Sequence, residues 1–81
     1  MTSLTLTQTS KYFGFGDEHD YVVLDGGCVI GRIMLHPNAA PECPWFWTIT
    51  DPEAEPSLAN RGYSGTREDA MADFKSRWFK A

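Results

Sequence analysis

The sequence predicts an α+β domain: an antiparallel β-meander of three to four strands, with one C-terminal α-helix packed on one face. Three stretches carry this reading. "YVVL", then Asp25, Gly26 and Gly27, then "CVIGRIML" sets two β-branched runs about a glycine turn, which is the pattern of a tight hairpin. "PWFWTIT" supplies a further strand, rich in aromatic and β-branched residues. Near the end of the chain, Ala70, Met71, Phe74 and Trp78 recur at helical spacing and form one apolar stripe.

Taken in order, "SLTLTQT" alternates Leu4 and Leu6 with Thr5 and Thr7, as a half-buried strand at a sheet edge does. "SKYFGFGDEHD" breaks that pattern with Gly14, Gly16 and an acidic cluster, and reads as a loop. In the hairpin, strict alternation places Val22, Leu24, Val29, Gly31, Ile33 and Leu35 on one face. Tyr21, Val23, Cys28, Ile30, Arg32 and Met34 then lie on the other. "HPNAAPECP" is a proline-rich loop into the "WFWTIT" strand. Asp51 to Gly65 reads as a long acidic connection, interrupted by Pro52 and Pro56.

The last element is a helix. Thr66 is a good N-cap, and Asp69 stands at the reciprocal position of a capping box. Glu68 and Asp69 suit the positive end of the helix dipole, while Lys75, Arg77 and Lys80 suit the negative end. Phe79 lies off the apolar stripe.

Eighty-one residues make one domain, residues 1–81. A chain of this size buries only about 60% of its unfolded surface, and five Phe, three Tyr and three Trp supply large side chains to compensate. No apolar run approaches the roughly 18 residues of a membrane span. The N-terminal "MTSLTLTQTS" lacks the basic flank and apolar core of a signal peptide. The expectation is a cytoplasmic protein with no membrane partner. A net charge of −4 argues against a polyanion as ligand.

Catalytic and metal chemistry find little support. Cys28, Cys43, His19 and His36 show no C-x-x-C or H-x-x-x-H spacing. Cys28 and His36 sit eight positions apart on one strand, roughly 26 Å at 3.3 Å per residue, so they cannot share a metal. The same geometry keeps Cys28 and Cys43 from forming a disulfide. "GFGDEHD" has a lone G-x-G with neither a strand before it nor a helix after it, so it is no phosphate loop. Cys28 beside a turn and Cys43 in a loop have no obvious base partner, and no nucleophile elbow is present. The reading is a non-enzyme with no cofactor.

The "WFW" strand poses the functional question. Trp45, Trp47 and Ile49 share one face and Phe46 points from the other. A helix about 20 Å long covers only one face, and the larger set, Trp45, Trp47 and Ile49, is assigned to it. Phe46 then joins Tyr21, Ile30, Arg32 and Met34 on the opposite face. Two explanations of that face stand open. Either "SKYFGF" folds back as a lid through Tyr12, Phe13 and Phe15, or the face binds a protein partner or a second copy.

"DYVVLDGGCVIGRIML", "PWFWTIT" and "RGYSGTREDAMADFKSRW" together resemble a group of short uncharacterised bacterial proteins. Members share an "LTL"-type start, a D-G hairpin leading into "VIGRI", a "WFW" strand and a Thr-capped helix ending in Trp. The resemblance covers most of the chain and implies the same fold and a bacterial cytoplasmic origin. It implies no mechanism. The function expected from the residues is a small acidic protein-interaction module, an adaptor or an inhibitor such as an anti-defence protein. The alternative is a nucleic-acid-binding sheet domain with a regulatory role, against which stands Arg32 as the only basic residue in the meander strands.

Overall fold

The computed structural model describes residues 4–14, 18–36, 41–54 and 56–80. Five antiparallel strands form one open sheet in chain order: β1 (Leu4–Gln8), β2 (Asp20–Asp25), β3 (Cys28–Leu35), β4 (Trp45–Ile49) and β5 (Arg61–Ser64). A short helix α1 (Thr9–Phe13) follows β1, a 3-10 turn (Leu58–Asn60) precedes β5, and the long helix α2 (Arg67–Lys80) closes the chain. The predicted α+β meander with a C-terminal helix is what the chain forms, with β5 as an additional strand. Among the described residues no helix is long and apolar enough to cross a membrane.

The β2–β3 hairpin turns through Gly26 and Gly27, with φ of 58° and 87°. Both angles are positive, as a two-residue type I′ turn requires, and a side chain at either position would be strained. Past this turn the two strands depart from strict alternation. Leu24 faces Val29, but Val23 faces Gly31, so Ile30 is the extra residue of a β-bulge. The bulge is anchored at the end of β4, where the Ile30 carbonyl accepts hydrogen bonds from the Thr50 and Asp51 amides at 2.9 and 3.2 Å.

One residue of offset exchanges the faces of β2 relative to β3. Tyr21 pairs with Ile33 and Val22 with Arg32. Tyr21 and Val23 therefore share the helix face with Gly31 and Ile33. Val22 and Leu24 lie on the far side with Arg32. This corrects the hairpin faces expected from alternation.

The core lies between the sheet and α2. Leu4, Val23, Ile30, Ile33, Trp47, Ala70 and Phe74 are its buried members, with Leu6, Trp45, Ile49, Met71 and Trp78 packed around them. The Thr66 hydroxyl accepts the Asp69 amide at 3.0 Å and so caps α2 as the sequence predicts. Phe74, fully buried, sits at the centre of the apolar stripe. Its ring lies directly on Gly31. A Cβ there would run into that ring and into the Thr48 carbonyl oxygen, so the contact requires glycine. Trp47 meets Phe74 edge-on, with ring centroids 6.1 Å apart. Burial of each such aromatic contributes about 1.5–3 kcal/mol.

Polar contacts fix the helix along its length. The Ser64 hydroxyl donates to Asp73 at 2.6 Å, Arg77 Nε donates to Asn60 Oδ1 at 2.8 Å, and the Trp78 indole N–H donates to Asp25 at 3.2 Å. At the opposite end, Arg67 donates to the Tyr21 hydroxyl at 3.0 Å and lies 5.1 Å from the centre of that ring.

Candidate functional site: the open face of the sheet

On the side away from α2, register places two rows across the strands. One runs Asp20, Met34, Phe46, Tyr63; the other runs Val22, Arg32, Thr48, Arg61. Both rows begin in a covered region and end in an open one. At the β1–β2 end, the Thr9 hydroxyl donates to Asp20 Oδ1 at 2.8 Å, and the other Asp20 oxygen binds the Arg32 guanidinium. Thr9 and Val22 are buried there, and α1 packs against β1 and β2.

The fold-back of "SKYFGF", one of the two explanations left open by the sequence, is thus partial. The segment becomes α1 rather than a loop, and it closes only the β1–β2 end. Tyr12 and Phe13 meet each other edge-on at 4.8 Å but remain 44% and 48% exposed. Phe15 lies outside the described residues.

The β3–β5 end stays open and carries an aromatic cluster. His36 stacks on Phe46 at 5.0 Å with ring planes 16° apart. Phe46 and Tyr63, register partners across β4 and β5, have centroids 5.1 Å apart. His36 meets Tyr63 at 6.0 Å, completing the triangle. Tyr63 is 51% exposed, and Phe46, Met34 and His36 are half-buried. The His36 amide donates to the Pro44 carbonyl at 2.7 Å, which holds the ring at the mouth of the β3–β4 connection. Arg61 is exposed beside Tyr63 on the same face.

Of the five residues that the sequence assigns to this face, the structure places Phe46, Arg32 and Met34 on it. Tyr21 and Ile30 are corrected to the helix side. Tyr21 faces the start of α2 and lies 6.5 Å from Trp45, and Ile30 is 3% exposed within the core. The physical cause is the bulge, which moves Tyr21 to the other side and turns Ile30 inward.

Three members of the open end of the face lie beyond the sequence reading: Tyr63, Arg61 and His36. Tyr63 and Arg61 belong to a strand that "RGYS" barely signals. His36 stands two positions past Met34, the spacing that keeps residues on one side of a strand, and this was the available clue.

Cys28 and the histidine of the open face lie apart. Cys28 is exposed beside the hairpin turn, at the opposite end of β3 from His36. Among the described residues no cluster of three or more His, Cys, Asp or Glu side chains could hold a metal ion. An open cavity of about 600 Å³ beside the 50–60 connection is lined by Thr50, Pro52, Ser57 and Leu58 among others. What the open face offers is stacked aromatic surface, a polarizable methionine and one exposed cation, Arg61. No family model, curated protein or solved structure matches the chain.

Proposed function

We propose that the chain is a small acidic protein-interaction module, an adaptor or inhibitor of the anti-defence type, which binds a protein partner through the open end of its sheet and performs no catalysis. The observation that carries this reading is the His36–Phe46–Tyr63 cluster beside Met34 and Arg61, on the face α2 leaves uncovered. Tyr, Phe, Met and Arg are enriched in interface cores, where a few such anchors hold most of the binding energy. The Asp20–Arg32 pair supports the same reading, because it holds the Arg32 guanidinium on that face before any partner arrives.

A capture experiment on nuclease-treated extract tests it. A partner that is held by the wild-type chain and released by Phe46→Ala, with the thermal melt of the variant unchanged, is the expected result. Loss of all capture after nuclease treatment would instead favour the nucleic-acid reading, in which the same rings stack on bases.

A further inference from the structure

We propose that the partner presents an extended acidic segment that pairs with the outer edge of β5, with an acid opposite Arg61 and an apolar side chain beside Tyr63. This rests on the interaction reading above and names the chemistry of the partner. β5 is the last strand of the sheet, and among the described residues it pairs only with β4. An antiparallel edge strand directs half of its backbone groups outward, where an incoming strand can bond them. Arg61 and Tyr63 stand two positions apart, so both side chains rise on the open face. An added strand would place alternate residues in line with them and extend the aromatic surface already formed by Phe46 and Tyr63.

Charge selects among possible occupants. Among the described residues, the two rows of the open face contain one carboxylate, Asp20, already bound by Arg32 and Thr9, and Asp51 lines the same cavity as Arg61 without pairing with it at salt-bridge distance. The exposed cation at the edge is Arg61. Edge-to-edge addition of a second copy would bring no strand acid to it: β1 reads LTLTQ and β5 reads RGYS. A nucleic acid would meet the charge but not the backbone groups.

The pairing fixes a spacing. The partner must carry an acid and an aromatic or aliphatic residue two positions apart. The residue between them turns toward Gly62, buried Ser64 and the Asp73 carboxylate, and must be small and uncharged.

The probe is a set of labelled peptides of alternating Thr and Val, in which a central Phe and Asp stand two apart with Ser between them, in both orders. A second set carries Lys in place of Asp. Binding is followed by anisotropy, and the contact is mapped by amide chemical shifts. The Asp peptides are expected to bind with shifts centred on Arg61–Ser64, and the Lys peptides to bind roughly tenfold more weakly or worse. Arg61→Glu should reverse that preference while leaving the melting temperature unchanged.

The proposal is overturned if no peptide of either set binds, if the shifts map elsewhere, or if Arg61→Glu leaves the preference as it was. Tight binding of an oligothymidine probe at the same amides, or a dimer in sedimentation that masks them, also overturns it. A protein captured from extract through Phe46 but indifferent to Arg61→Glu would sink the acidic-strand proposal and leave the interaction reading standing.

Discussion

β4 carries two different surfaces within five residues. Trp47 on one side is 7% exposed and lies against Phe74. Phe46, its neighbour on the other side, stacks with His36 and Tyr63 at the open end of the sheet. Both are large aromatics on the same strand, and alternation alone separates them. The difference lies in what comes next: α2 supplies a continuous apolar stripe to the first, whereas α1, five residues long, stops short of the second. A hydrophobic residue in a strand is therefore core or binding surface according to which helix can reach it.

The comparison breaks most visibly at its buried side. Phe74→Ala should lower stability by about 3–5 kcal/mol, from the lost transfer energy and the cavity left over Gly31. That is a large part of what so small a domain has. A thermal melt within a few degrees of wild type would show that α2 does not hold the sheet. Trp47→Ala should cost slightly less, about 3 kcal/mol, because its indole is not wholly enclosed.

Gly31→Ala tests the closeness of helix to strand. The added methyl must displace the Phe74 ring or the Thr48 carbonyl, and overpacking of this kind costs about 1–3 kcal/mol. Urea unfolding with an unchanged slope and a lower midpoint is the expected record; an unchanged midpoint would mean the ring has room to move.

Asp25→Ala removes the acceptor of the Trp78 indole at the far end of α2. Loss of one part-buried hydrogen bond should cost about 1 kcal/mol, and the fluorescence of Trp78 should change with it. Phe46→Ala, on the open side, should have the smallest effect on stability, under about 1 kcal/mol. If it unfolds the protein while Trp47→Ala does not, the two faces of β4 are the reverse of those described here.

Much of this was legible in the residues, and the parts that were not have definable causes. Trp45, Trp47 and Ile49 could be assigned to the helix because a regular strand offers only two sides and one set was clearly larger. Thr66, Ala70, Phe74 and Trp78 were readable because a fourteen-residue helix repeats its pattern enough times to be distinguished from chance. Tyr21 and Ile30 were not, because a bulge depends on how two strands meet, and neither strand alone records it. Arg61–Ser64 escaped because four residues with one glycine and no β-branched side chain give no alternation to detect. Thr9–Phe13 is a single helical turn, below the length at which a periodicity exists.

The extra residue at Ile30 makes length a stricter requirement than identity in this part of the chain. Substitutions between Cys28 and Gly31 can alter what packs against α2, but none can remove the offset. Loss of a single codon there could. The hairpin would then pair without its bulge, and the inward and outward lists of β1 and β2 would be exchanged. Leu4, Leu6 and Val23 would leave the core while Thr5, Thr7 and Val22 entered it. Descendants of this sequence can therefore lengthen or shorten the connection between β4 and β5 at little cost, whereas the short step from the glycine turn to Gly31 must be inherited residue for residue in number.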